Sequence, residues 1–299
     1  MFKTIACKSR EEWLEARKNY ITASNVPTLV GENPYQSPLA LYAEMIGAVP
    51  PKDETEAMRF GRKLQPIIRD AYCEETKRVV EDLGEYTLLV SERFPWLAAT
   101  LDYKILPQNG KPEGALEAKS TGFLHKSEWE ERPPVRHVIQ NQAQLTVTGW
   151  SWGSIAGLIG GQKFLWSDIE HDKDFEVLML EITKEFHRRV ELRDPPQADD
   201  WSESTKNALA ALYPEETPGV VVPLPPEAEE WHVALEQAKI DAKDAKEREE
   251  RFKNLLKQAI GEAEGGALAQ GHYTFKKIHK EPYTVKAQDY RELRWKKAK

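Results

Sequence analysis

The sequence predicts an α/β core over about residues 1–195, a Pro-rich linker at 196–226, and a mainly helical extension at 227–299. Three observations predict this. Helix-period segments come first, then a cluster of strand-period segments with one helix threaded through, then another helix ending at Leu192, as in an α/β core. Arg193-Asp194-Pro195-Pro196 then opens a stretch of linker composition, with further prolines between Tyr213 and Pro226. Finally, from Glu227 to Glu264, apolar residues return at three- and four-residue steps in a background of Ala, Glu and Lys.

In the core, Arg10 to Tyr20 reads as a helix, with Ser9 as N-cap, Glu12 at the capping-box position, and Trp13, Ala16 and Tyr20 on one face. A short helix is expected from Ser24 through Val30, a loop over 31–38, and a helix from Leu39 to Ile46 that Gly47 ends. Ala57 to Glu75 reads as a long helix interrupted near Pro66. Thr87 to Arg93 and Trp96 to Ile105 read as strands. The turn formers between Leu106 and Gly114 then lead into a strand from Ala115 to Ser120. His137 to Thr148 is a predicted helix and Trp152 to Ile159 an apolar strand. Phe175 to Ile182 alternates like a strand before a helix from Thr183 to Leu192.

In the extension, Trp231, Leu235, Ala238, Ala242, Ala245, Phe252, Leu256 and Ala259 form a narrow stripe suited to a helical hairpin or coiled coil. Gly265-Gly266 is expected to stop that helix, and His272–His279 with Tyr283–Ala287 to form a small hairpin.

With 299 residues the chain can bury a substantial core. Its net charge of −7 does not announce a nucleic-acid binder, yet Gly271 to Lys299 holds nine Lys/Arg against three Asp/Glu, a local excess that suits phosphate. Tyr273, Phe275, Tyr283, Tyr290 and Trp295 are interleaved with those cations. The only cysteines are Cys7 and Cys73, which excludes a disulfide framework and, with no histidine pairing to them, a zinc site. With no signal peptide or membrane-spanning apolar run, the expected location is a reducing cytoplasm, that of a bacterial host if the chain is phage-encoded.

The chemistry centres on Asp102 and, after the turn, Leu116-Glu117-Ala118-Lys119. Side chains two apart on a strand share a face, so Glu117 and Lys119 point the same way. With Asp102 across the hairpin, two carboxylates and one ammonium converge, which suits a hard cation with a Lys beside the attacking water. Gln140, Gln142 and Gln144 follow on one helix. Gln140 and Gln144 share a face, and amides that both donate and accept suit a water and a scissile phosphate. Upstream, Arg17, Thr22 and Ser24 gather near a helix start where an anion is favoured.

In their order these segments resemble the phage-type alkaline exonucleases, the lambda exonuclease and YqaJ-like viral recombinase family of the PD-(D/E)xK nuclease superfamily. The resemblance runs from about Arg17 to Gly161. Ile21-Thr22-Ala23-Ser24 with Asn33-Pro34-Tyr35 matches the N-terminal motif, and Phe60-Gly61-Arg62-Lys63-Leu64 the helix motif. Thr100-Leu101-Asp102 stands in place of Pro-Asp-Gly, Leu116-Glu117-Ala118-Lys119 matches Leu-Glu-x-Lys, and Gln140 through Gly149 matches the Gln-rich helix.

The resemblance implies a PD-(D/E)xK restriction-endonuclease-like core, a central mixed sheet flanked by helices. It also implies Mg²⁺, replaceable by Mn²⁺, held by Asp102, Glu117 and the carbonyl of Ala118. Lys119 would orient or deprotonate the attacking water and Gln140 would position it. Arg17, Thr22 and Ser24 would take a terminal 5′-phosphate, and Gln142 and Gln144 would contact DNA. Two departures matter: Gln65 stands where the family commonly has a Glu, and, a milder change, the Pro and Gly that flank the family's Asp are absent around Asp102.

The activity so implied is 5′-to-3′ digestion of linear double-stranded DNA, leaving 3′ single strands for recombination. The implied partners are a single-strand annealing protein and further copies of the chain, in a trimeric ring. A non-catalytic DNA-end-binding or assembly protein is the alternative, supported by Gln65 and opposed by Asp102, Glu117 and Lys119. An endonuclease is a further alternative. So is an iron–sulfur nuclease, which two cysteines argue against.

Overall fold

The computed structural model of the protein describes residues 1–50, 54–198, 200–281 and 291–294, in two compact units, Met1–Pro214 and Glu215–Lys299. The first unit opens with β1 (Phe2–Ala6), α1 (Arg10–Arg17), β2 (Ile21–Thr22), a 3-10 turn (Ala23–Asn25), α2 (Val26–Leu29), α3 (Pro38–Met45) and α4 (Glu56–Thr76). It continues through β3 (Val80–Glu81), β4 (Thr87–Ser91), β5 (Leu97–Ala99), β6 (Tyr103–Ile105), β7 (Gly114–Thr121), a 3-10 segment (Phe123–Trp129) and α5 (Val135–Thr148). Next come β8 (Trp152–Ile159), β9 (Lys163–Glu170), α6 (Lys173–Leu192) and α7 (Glu203–Leu212).

The mixed α/β architecture agrees with the sequence. A five-stranded sheet runs β3-β6-β7-β8-β9, parallel only between β7 and β8. A parallel pair needs a crossover, and α5 lies in it. One face of this sheet packs Leu116, Ala118 and Ala156 against Ile68 and Tyr72 of α4. On the other face, Ala115 packs with Ile139, Ala143, Leu145 and Val147 of α5. A second sheet runs β1-β4-β5-β2 and carries α1, whose Trp13 and Ala16 pack on Leu88, Val90 and Ala98.

Trp96–Ile105 is two strands rather than one. β5 belongs to the four-stranded sheet and β6 to the five-stranded one, and the chain changes sheets at Thr100-Leu101-Asp102. Pro66 does not interrupt α4. It lies on the exposed side of the helix, as does Arg62, whose carbonyl loses its helical donor.

The alternation over Phe175–Ile182 does not make a strand; α6 is helical throughout. Asp172 caps it by accepting from the N–H groups of Asp174 and Phe175, and Met179, Thr183 and Phe186 bury one helical face. The strand that pairs with β8 is instead β9, whose burial alternates along its length.

Within the stretch read as linker, Ser202 caps α7 and buries Thr205 and Ala208. The Thr205 hydroxyl donates to Ser37 Oγ at the cap of α3 (2.7 Å). Buried apolar surface with satisfied caps makes this stretch a helix of the first unit.

The second unit contains α8 (Ala228–Ile260) and a hairpin of β10 (Gly265–Leu268) with β11 (Gly271–Thr274). Gly261, at φ +61°, ends α8 before the Gly265-Gly266 pair, which enters a strand instead. The hairpin therefore forms one step earlier in the chain than expected; Tyr283–Ala287, Tyr290 and Trp295 lie outside the described residues. Among the described residues no helix is long and apolar enough to cross a membrane.

Candidate active site

Strand β7 supplies Glu117 and Lys119 on one face, as its two-residue period requires. Glu117 is 1 % exposed, and every partner it has is a donor. Its Oε1 accepts from Lys119 Nζ (2.5 Å) and Gln140 Nε2 (2.7 Å), and its Oε2 from Gln144 Nε2 (2.5 Å). Gln140 also accepts from Lys119 Nζ (3.2 Å), so one amide ties carboxylate and ammonium together. Gln140 and Gln144 are one helical turn apart on α5, which explains why both reach one carboxylate.

Asp102 arrives from the sheet-changing bend. Its Oδ2 accepts from the Ala118 N–H (2.7 Å) and its Oδ1 from Gln65 Nε2 of α4 (2.8 Å). β6 starts at Tyr103, opposite Leu116, so β7 runs on past its neighbour and Ala118 has no strand partner on that side. A residue's N–H and C=O face the same side of a strand, so the Ala118 carbonyl is turned toward the same gap.

The electrostatics follow from crowding two carboxylates in a partly dry site. Burial first, then the charge of Glu117, pushes the Asp102 carboxyl up to about 7, against Lys119 and the two N–H donors. For Lys119, burial works against its charge, but Glu117 and Asp102 outweigh it and hold the ammonium above its ordinary value.

Two carboxylates and a strand carbonyl are hard oxygen donors of the kind Mg²⁺ takes. Burial, and after it the repulsion from Glu117, leave the ionised Asp102 short of positive charge, which a divalent ion would supply, so the residues fit such an ion. Among the described residues no three His, Cys, Asp or Glu side chains gather as a metal cluster, so most of the ion's shell would be water and substrate oxygen.

A second cluster lies at the end of α1. Arg17 Nη2 donates to Thr22 Oγ1 (3.1 Å) and Ser24 Oγ (3.0 Å), and its guanidinium lies 4.2 Å over the Trp13 ring. Thr22 is held by Asn25, whose Oδ1 accepts from both its N–H (3.0 Å) and its hydroxyl (2.6 Å), while Ser24 is exposed. No carboxylate among the described residues is within ion-pairing distance of Arg17, whose pKa burial pulls down to about 10, with Glu44 opposing. A partly dry guanidinium with hydroxyls and no counter-ion is a site for an anion.

The expected residues thus form two groups: Asp102, Glu117, Ala118, Lys119, Gln140, Gln144 and Gln65 in one, and Arg17, Thr22 and Ser24 in the other. Gln142 joins neither. It is buried on another face of α5, donating to the Glu170 carbonyl (2.6 Å) and accepting from the Asp172 N–H (2.9 Å), where it ties down the β9–α6 turn. Side chains two apart on a helix diverge, a signal that set Gln142 aside from its neighbours. Gln144, fully buried, acts on Glu117 rather than on a ligand.

Two supporting residues were not singled out from sequence. Asn141 Nδ2 donates to Gln144 Oε1 (3.0 Å), and Trp13 Nε1 donates to Thr100 Oγ1 (3.1 Å). Asn141 was visible only as part of the Gln-rich motif, and Trp13 only as one residue of an apolar helix face.

Residues 12–151 match the YqaJ-like viral recombinase domain, and both clusters fall inside that span. This stretch of the chain is similar to that family. A relative of the chain is the uncharacterized protein YqaJ of Bacillus subtilis (strain 168), 27 % identical over 259 residues, covering 84 % of this chain and 79 % of the relative. Among solved structures the fold resembles an alkaline exonuclease, LHK-Exo, from Laribacter hongkongensis. The TM-score is 0.52 at 22 % identity, over 68 % of this chain and all of that one. The same enzyme in complex with dAMP matches equally. The fold of this chain is thus similar to that of this alkaline exonuclease.

Proposed function

We propose that this protein is a Mg²⁺-dependent 5′-to-3′ exonuclease that digests linear double-stranded DNA from its ends, leaving 3′ single strands for recombination. The observation that carries the reading is the convergence of Asp102, Glu117 and Lys119 on one half-dry volume.

Asp102, Glu117 and the Ala118 carbonyl are the residues that would hold the cation, with Mn²⁺ able to replace Mg²⁺. When bound, such an ion activates water and neutralises charge developing on a phosphate. Glu117 and Asp102 hold Lys119 as the ammonium in the absence of a cation; its part is to orient the attacking water and stabilise negative oxygen, or to take the water's proton. Gln140 fixes Lys119 against Glu117 and presents an amide beside the attacking water. Gln144, braced by Asn141, holds the second oxygen of Glu117 and so sets its orientation. Arg17, Thr22 and Ser24 anchor a terminal 5′-phosphate, which makes the 5′ end the point of entry. An annealing-protein partner and a trimeric assembly are part of this reading through the family resemblance.

Digestion of a linear 5′-phosphorylated duplex beside a covalently closed circle, with Mg²⁺ and with EDTA, tests it. Mononucleotides released from the linear duplex alone, and lost with EDTA or in Lys119→Ala, are the expected result. The hydrogen bond from Gln65 to Asp102, in place of a third carboxylate, favours a second reading: a DNA-end-binding protein without catalysis. End binding with no nucleotide release at any Mg²⁺ concentration would establish that reading instead.

A further inference from the structure

Trp13 touches the Arg17 cluster and the bend that delivers Asp102. Its ring face carries the Arg17 guanidinium at 4.2 Å, and its indole N–H donates to the Thr100 hydroxyl at 3.1 Å. Thr100 is the first residue of the bend through which the chain leaves the four-stranded sheet to deliver Asp102, two residues on. The carbonyl of the same Thr100 accepts from Gln144 Nε2 (3.4 Å), which also holds Glu117. Trp13 is itself fixed, because its ring packs on Leu88, Val90 and Ala98 of the four-stranded sheet.

Resting on the exonuclease reading, we infer that Trp13 is a positioning residue that sets the distance between the terminal-phosphate anchor, Arg17, and the catalytic bend at Thr100–Asp102. An indole suits this because it offers two separate handles. Its π-face holds a cation without competing for the N–H groups that a phosphate needs, and its edge offers one directional donor. Phosphate captured by Arg17 then has a defined offset from Asp102, and misplacement on the scale of 1 Å costs a reaction of this kind heavily. A terminus without phosphate does not use the anchor and gains nothing from the link.

The test uses the full-length protein with 5′-phosphorylated and 5′-hydroxyl linear duplexes, comparing Arg17→Ala, Trp13→Phe, Thr100→Val and the Trp13→Phe/Thr100→Val double variant. Phe keeps a ring under Arg17 and loses the donor. Val keeps the shape of Thr100 and loses the acceptor, which covers the case in which Trp13→Phe folds poorly. Trp13→Phe and Thr100→Val are each expected to lower kcat on phosphorylated ends about ten-fold with little change in KM, whereas Arg17→Ala is expected to abolish the preference for phosphorylated ends. In these two variants hydroxyl ends should stay within about two-fold, and the double variant should be no worse than either single, as for one shared contact.

Equal losses on both kinds of end, or additive losses in the double variant, would reduce Trp13 to ordinary packing and overturn the inference. If Arg17→Ala abolishes the phosphate preference while Trp13→Phe and Thr100→Val keep wild-type kcat, the pocket stands and only the link fails. If Arg17→Ala leaves the preference intact, the pocket and the link both fall. A wild type that releases no nucleotide overturns the exonuclease reading and the inference with it.

Discussion

Gln65 donates its side-chain N–H to Asp102 Oδ1 at 2.8 Å, so an amide on α4 stabilises the ionised form of a carboxyl that burial and Glu117 both push toward protonation. A Glu at this position could not donate when ionised. Gln65→Glu is therefore expected to destabilise the metal-free protein by about 1–3 kcal/mol, through a lost donor and an added like charge. In exchange it gives the site a third hard ligand. A thermal-shift titration should show a larger Mg²⁺-dependent rise in Tm for the variant than for the wild type, and an equal or smaller rise would show that residue 65 does not face the ion.

Breaking the ion pair should affect stability and activity differently. Glu117 is almost fully buried, and Lys119 Nζ, at 2.5 Å, is the cation beside it. Lys119→Met leaves that carboxylate with amide donors only, and should cost about 2–3 kcal/mol in urea denaturation. Adding Glu117→Gln should restore most of the loss, because the pair is removed together. Nucleotide release should fall about 10²–10³-fold in Lys119→Met and should not recover in the double variant. Recovery of activity along with stability would assign Lys119 to folding alone.

How much of this was legible depended on the range over which each residue's position is decided. Glu117 and Lys119 sharing a face follows from two residues of one strand, and Gln140 with Gln144 from one turn of one helix, so both were readable locally. The placement of Asp102 was not. The apolar pattern over Trp96–Ile105 continues across Thr100-Leu101-Asp102 although the chain changes sheets there, because each sheet buries its own part of the run. Phe175–Ile182 misled for the opposite reason. Its alternation is real, but the Asp172 cap and the buried face of Met179, Thr183 and Phe186 decide for helix. Trp13 acquires its role only through Thr100, 87 residues away, and no local pattern announces such a contact.

Metal-free stability should depend on pH through Asp102. Its folded pKa of about 7 lies above the roughly 3.9 of an unfolded Asp, so the folded state binds the proton more tightly. The stabilisation is complete below about pH 4 and is lost as pH rises toward 7, leaving a charged carboxyl that the fold disfavours. In EDTA at pH 8, Asp102→Asn should therefore be more stable than the wild type while releasing no nucleotide. Mg²⁺ should raise the Tm of the wild type and leave that of Asp102→Asn nearly unchanged. A variant less stable than the wild type at pH 8 would mean that Asp102 is held as a contented anion without any cation.

The seat of α5 gives the last prediction, because Gln140 and Gln144 reach Glu117 only while that helix lies close on the sheet. Gly153 on β8 permits the approach: a Cβ there would stand 2.6 Å from the Ala115 carbonyl oxygen and 2.6 Å from Asn141 Oδ1. Gly153→Ala should therefore push α5 outward, cost about 1–3 kcal/mol, and lower nucleotide release as both amides withdraw from Glu117. Gly122→Ala, with nothing within 4 Å of the added carbon, is the matched control and should stay within about 0.5 kcal/mol of the wild type. Adding Asn141→Ala to Gly153→Ala should relieve the side-chain clash and leave the backbone one, so stability should return only in part. Activity should not return, since Gln144 then lacks the amide that braces it. Denaturation midpoints and kcat on all four proteins check this, and full activity in Gly153→Ala would show that Glu117 does not need its amide partners for the reaction.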